Sequence, residues 1–183
     1  MAATDLARLL LRAAIGGTMI AHGVRHGRTL QGTGRWFGSI GFRRPELQAV
    51  TSAVVEIGAG SALVAGAATP LSAAAVVGTL AVATRSVHIK NGFFVINEGW
   101  EFVMNLSVGA VALAALGAGP LSVDRALGLE KRLSGPRAAA LAAGLGLAGA
   151  AAQLAVFWRK PAPAATPPAA VPSSEPEIVP DEF

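Results

Sequence analysis

Five apolar runs divide this chain, at residues 6–22, 48–67, 70–87, 100–118 and 138–158. Each is close to the ~20 residues that a helix needs to cross ~30 Å of hydrocarbon. Backbone N–H and C=O groups cannot be left unpaired in that medium, so a spanning chain is either helical or a closed barrel. The runs here are continuous, rich in Ala, Leu and Gly, and lack the alternation of barrel strands, which selects helices. Only 14% of the residues are charged and 52% are hydrophobic, where soluble domains run near 25% charged. The sequence therefore predicts an all-α membrane protein of antiparallel helices, with the lipid bilayer as its first partner.

The first run contains Arg8 and Arg12 and has no convincing small-residue cleavage site after it, so it reads as a retained helix and not a signal peptide. The second and third runs meet at Ala67-Ala68-Thr69-Pro70. Proline suits the first turn of a helix, where its missing N–H costs nothing, and a tight antiparallel hairpin follows. Gly58, Gly60 and Gly66, and Gly144, Gly146 and Gly149 in the last run, suit close helix packing. Residues 23–46 read as a long interfacial connection in which Arg25, Arg28, Arg35, Arg43 and Arg44 alternate with Trp36, Phe37, Ile40 and Phe42. From residue 161 onward the chain is rich in Pro and Ala and ends acidic, a composition that builds no core and predicts disorder.

There is no cysteine, which removes disulfides, CxxC redox pairs and thiolate metal sites. The formal charge is +4, yet the first 160 residues hold 15 bases and 7 acids. These bases flank apolar spans, where anionic lipid headgroups lie, and nucleic acid is excluded as a partner. Nine bases fall on the side of the first and third connections and the tail, against six on the other. By the positive-inside rule the first connection faces the cytoplasm.

Ionisable groups inside a span are costly and mark functional candidates. Arg12, Glu56, Glu101 and Asn105 stand out, with His22 and His88 near helix ends. Arg12 precedes His22 by about 15 Å of helix, and Glu56 follows Gln48 by about 12 Å. In antiparallel order these depths bring Arg12 and Glu56 to one level. Glu101 and Asn105 share a helix face one turn apart and enter from the same side. The expectation is a ligand-binding polar half lined by Arg12, His22, Glu56, His88, Glu101 and Asn105, capped by Arg35-Trp36-Phe37. The competing reading makes Arg12 and Glu56 a buried pair that fixes helix register. His22 and His26 have metal-ligand spacing, but Gly23, Gly27 and the lack of a third ligand argue against a metal. No nucleophile triad, phosphate loop or nucleotide fingerprint is present.

A set of ordered motifs runs through the first 130 residues: Arg12; Ala21-His22-Gly23; Gly38 to Gly41; Val55-Glu56-Ile57-Gly58-Ala59-Gly60; Ala67-Ala68-Thr69-Pro70; Gly92-Phe93-Phe94; Gly99-Trp100-Glu101-Phe102; and Gly117-Ala118-Gly119-Pro120-Leu121-Ser122-Val123-Asp124. In order and spacing they resemble the DoxX family of small bacterial integral membrane proteins. The resemblance implies an antiparallel four-helix transmembrane bundle over residues 1–130. To this the chain adds a fifth transmembrane helix at 131–159 and a Pro/Ala-rich tail at 160–183. It also implies a multi-pass protein of the bacterial inner membrane. Relatives are linked to sulfur oxidation with quinone as acceptor, and to membrane complexes of oxidative and thiol stress beside a sulfurtransferase and a superoxide dismutase. On that footing the expected function is a redox-associated subunit that binds a quinone or anchors soluble oxidoreductases, at most part of an oxidoreductase complex and open to oligomerisation. In the quinone version Glu56 and His22 address the ring oxygens, Arg12 balances charge, and Glu101 with Asn105 lines the pocket. The alternatives are a non-enzymatic assembly subunit of a larger membrane complex and a small-solute transporter, the latter without a visible inverted repeat.

Overall fold

The computed structural model describes residues 2–161, and the tail expected to be disordered lies outside the described residues beyond residue 161. Among the described residues the chain is all-helical and has one isolated β-bridge, Phe42 to Trp158. Its α-helices are α1 (Ala3–Arg28), α2 (Leu30–Ser39), α3 (Pro45–Ala65), α4 (Thr69–Ala83), α5 (Glu101–Leu116), the single turn α6 (Val123–Ala126) and α7 (Pro136–Phe157). A π-turn (Thr84–His88) and a 3-10 turn (Ile89–Asn91) extend α4. Among the described residues three helices are long and apolar enough to cross a membrane: Pro45–Ala65, Thr69–Asn91 and Pro136–Phe157. The apolar α5 is shorter, at 16 residues, and α1 carries Asp5, Arg8, Arg12, Arg25 and Arg28 along its 26 residues.

Local chemistry sets the boundaries. Helices α3, α4 and α7 each begin with proline in the first turn, where the ring preorganises φ without removing a needed hydrogen bond. Helix α3 ends at Gly66, whose φ of 65° is the left-handed cap that glycine adopts without strain. The chain reverses through Ala67 and Ala68 straight into α4, giving the tight hairpin expected at this place.

Close approach of backbones explains the packing. In a bilayer, helices associate through van der Waals contact more than through water exclusion, so small residues gather at interfaces. Helix α1 lies along α3, with Gly16 against Gly60. A Cβ on Gly60 would sit 2.6 Å from the Gly16 carbonyl oxygen, and the reverse distance is the same. Further along, a Cβ on Gly23 would meet the Ala53 oxygen at 2.9 Å. Helix α4 packs on both α5 and α7, and Gly146 of α7 sits against the Ala74 oxygen and Val77. One core joins Ile15, Leu63, Val76, Leu113 and Ala142 from five helices. A second, at the other end, joins Phe37, Phe42, Ala49, Val82 and Ala150.

Two expectations about register need correction. Residues 23–28 are not part of a loop: α1 runs six residues past His22, and the connection after it contains the helix α2 packed on α3. Arg12 and Glu56 consequently do not meet. The Gly16–Gly60 and Gly23–Ala53 contacts set Arg12 beside the C-terminal end of α3 and carry His26, not Arg12, to the level of Glu56.

Candidate functional site

Glu56 sits on the buried face of α3, 4% exposed, with Ser52 one turn before it on the same face. The close α1–α3 approach at Gly23 brings His26 alongside both. Ser52 Oγ donates to Glu56 Oε1 at 2.6 Å, and His26 Nδ1 lies 2.8 Å from the same hydroxyl and 3.4 Å from Glu56 Oε1. With the serine proton committed to the carboxylate, His26 Nδ1–H is the donor to Ser52. The other carboxylate oxygen, Oε2, is buried and has no hydrogen-bond partner among the described residues. Such an atom is rare in a folded protein, because the group forfeits its solvation without compensation.

Two cavities meet at this carboxylate. The inner one, about 110 Å³, is walled by Trp36, Phe37, Val55 and Val82 and reaches Gln48 and Gln153, whose side-chain amides are bonded to each other at 2.9 Å. The outer one, about 510 Å³, opens among His22, Arg25, His26, His88 and Glu98. Glu56, His26 and Trp36 line both. The arrangement can orient a carboxyl group, offer its free oxygen to a bound molecule, and connect it through Ser52 and His26 to a polar mouth.

Of the six residues expected to form a site, three converge: Glu56, His22 and His88 line the outer cavity. His88 also bonds the Glu98 carbonyl through Nδ1 at 2.7 Å, which ties the loop before α5 to the end of α4. Three do not converge. Glu101 accepts from the Val95 amide at 3.0 Å and shapes that loop without lining either cavity. Asn105, one turn on, is exposed on α5. Arg12 is 4% exposed and lies at the far end, where its guanidinium donates to the carbonyls of Leu63 at 3.1 Å, Val64 at 2.6 Å, Ala118 at 2.9 Å and Leu121 at 2.7 Å. Asp124 completes that end by accepting from the Ala68 and Thr69 amides and from the Thr69 hydroxyl at 2.6 Å.

Sequence reasoning missed Ser52, His26, Gln48 and Gln153 as members of the site. For Ser52 a signal existed, a hydroxyl one helical turn before the buried Glu56. His26 carried one too, at i+4 from His22. Gln48 and Gln153 lie too far apart in the chain for any local pattern to join them. The Arg35-Trp36-Phe37 stretch caps the region in part: Trp36 and Phe37 wall the inner cavity, while Arg35 is exposed.

The stretch from α1 to the turn after α4 thus supplies the whole Glu56–Ser52–His26 cluster. Residues 7–89 match the DoxX family model. The match to DoxX takes in His22, His26, Ser52, Glu56 and His88, and it stops before Gly99-Trp100-Glu101-Phe102 and before α5 and α7. Both cavities are therefore walled mainly by the DoxX stretch, with α7 contributing Gln153 to one and α5 contributing Phe102, Val103 and Leu106 to the other. No curated protein and no solved structure matches the chain.

Proposed function

We propose that the chain is a multi-pass subunit of the bacterial inner membrane that holds a quinone-type small molecule against Glu56. In this reading α1 and α5 cross the bilayer beside the three longer apolar helices, completing a four-helix bundle to which α7 adds a fifth span. The observation that carries the reading is the buried, unpartnered Oε2 of Glu56 at the junction of two cavities. A ligand with a hydroxyl or carbonyl oxygen at its ring edge satisfies that atom, directly or with the carboxyl protonated. The aromatic and branched walls formed by Trp36, Phe37, Val55 and Val82 suit a flat apolar ring.

A quinone supplies reversible uptake of two electrons with two protons when bound. The residues of the chain do the rest. Ser52 fixes one carboxylate oxygen, so the other points to the ligand. His26 holds Ser52 and lines the outer cavity beside Glu56, where His22 reaches the polar mouth and serves as the next proton acceptor. Phe37 and Val82 keep water from the inner wall. The electrons are exchanged with partner oxidoreductases at the membrane surface, which makes the chain a redox-associated subunit and not an independent enzyme.

Native mass spectrometry of the gently solubilised protein, with extraction and identification of its small molecules, tests this. The expected outcome is a co-purifying quinone, depleted about tenfold or more in Glu56→Gln at unchanged melting temperature, since a lost charge-assisted hydrogen bond is worth ~1.5–3 kcal/mol. Partner subunits without any small molecule would make the chain an anchor or assembly factor. Unchanged quinone content in Glu56→Gln, His22→Ala would remove the cluster from the reading.

A further inference from the structure

A second site lies at one corner of the same end of the molecule, built around different charged residues. Three segments far apart in sequence meet there. The end of α2 brings Ser39, the π-turn brings Arg85, and the chain leaving α7 brings Trp158 and Lys160, around a cavity of about 370 Å³ closed on one side by Lys90.

The corner is constructed, not incidental. The Phe42–Trp158 bridge is fixed by the Arg43 amide donating to the Phe157 carbonyl at 2.7 Å and the Arg159 amide to the Gly41 carbonyl at 2.9 Å. Gly41 is required for this approach: its φ is 97°, and a Cβ there would collide with the Arg159 carbonyl. The Trp158 indole N–H donates to the Ile40 carbonyl at 2.8 Å, which locks the ring. The Arg85 guanidinium then lies 4.6 Å over that ring, within cation–π range. Arg85 itself stands on a π-turn, a distortion found mostly at functional positions. No carboxylate lines the cavity, and none of Arg85, Lys90 and Lys160 is in an ion pair among the described residues.

We propose that this corner binds a phosphate anion, that of an anionic phospholipid headgroup. Three cations around one concavity match a phosphodiester, and basic pockets between spanning helices at the cytoplasmic side hold such headgroups. The lipid source follows from the position: the corner is at the end of the apolar helices α4 and α7, beside the exposed Ile89 and a tryptophan of the kind that settles at the membrane–water interface. The acyl chains then run along the outer faces of α4 and α7. Its three cations line neither Glu56 cavity, although Ile40 and Ser86 wall both this corner and the inner cavity.

The test uses the full chain in phosphatidylcholine nanodiscs, titrated with phosphatidylglycerol and read by native mass spectrometry, with inorganic phosphate as a separate probe. The wild type is expected to retain phosphatidylglycerol over phosphatidylcholine. Arg85→Gln and Lys160→Gln should each weaken retention by about fivefold, the effect of one surface base near anionic lipid, while Arg125→Gln and Arg137→Gln at the opposite end leave it unchanged. Lys160 is exposed, so its variant keeps the test valid even if Arg85→Gln disturbs the packing on Trp158. Equal retention by wild type and both variants overturns the proposal. Uptake of inorganic phosphate with no preference for phosphatidylglycerol overturns the lipid source. Binding that emerges only when residues 162–183 are deleted overturns it as well, because the acids of the tail, Glu175, Glu177, Asp181 and Glu182, then fill the corner in the native chain.

Discussion

Arg12 shows how much a single side chain can hold at low dielectric. Its guanidinium supplies donors to four carbonyls in two segments, the end of α3 and the loop after α5. The Leu63 oxygen also accepts from the Gly66 amide at 3.0 Å, but those of Val64, Ala118 and Leu121, left buried and unpaired, cost about 1–3 kcal/mol each. Arg12→Met should therefore destabilise the protein by roughly 3 kcal/mol or more, a fall of about 6–12 °C in the melting temperature of the detergent-solubilised protein. Arg12→Lys should recover only part of this, since one ammonium cannot reproduce the planar fork. Quinone content in the folded fraction should not change, because Arg12 stands at the other end from Glu56; loss of quinone at an unchanged melting temperature would return Arg12 to the site. Arg12 was legible in the sequence as an arginine interrupting an apolar run, and the fold buries it. Its partners were not legible, because main-chain carbonyls leave no mark in the sequence.

At the scale of helices, two glycines decide where everything else sits. Gly16 and Gly60 are in mutual contact, and alanine at Gly60 would press on backbone, the Gly16 oxygen and the Ile20 amide, which cannot swing aside. Gly60→Ala should cost about 1–3 kcal/mol through overpacking and, by tilting α1 away from α3, lengthen the His26–Ser52 contact. Gly58→Ala is the matched control: nothing lies within 4 Å of its added methyl, so it should be neutral or stabilise by up to ~1 kcal/mol through helix propensity. Thermal unfolding of the two variants side by side checks this, and equal melting temperatures would show that the α1–α3 contact does not set the register. The same glycines explain why the helices were legible and their register was not. Long apolar runs announce helices whatever their partners. Gly23 and Gly27 read as helix breakers, yet Gly23 packs closely on Ala53, Glu56 and Ile57 of α3 and α1 continues to Arg28. That six-residue extension moves Arg12 away from Glu56 and sets His26 in its place.

At the scale of the whole molecule, charge sorts to one end. Arg25, Arg28, Arg35, Arg43 and Arg44, then Arg85, Lys90, Arg159 and Lys160, lie at the end where the outer cavity opens, while Arg8, Arg12, Arg125, Lys131, Arg132 and Arg137 lie toward the other, nine bases against six. On the multi-pass reading proposed above, the positive-inside rule predicts that the cavity mouth and the basic corner face the cytoplasm. The absence of native cysteine makes the orientation directly measurable. Single-cysteine variants Lys90→Cys and Lys131→Cys, treated in intact spheroplasts with a membrane-impermeant maleimide, should differ in opposite ways. Lys131→Cys should label at once, and Lys90→Cys only after permeabilisation. Labelling of both before permeabilisation would mean that the chain does not separate these two ends across the membrane, and with that the multi-pass reading would fail. The reverse pattern would keep the spans but turn the mouth outward. His22 would then exchange protons with the periplasm, and electron-donating partners would have to dock on that side.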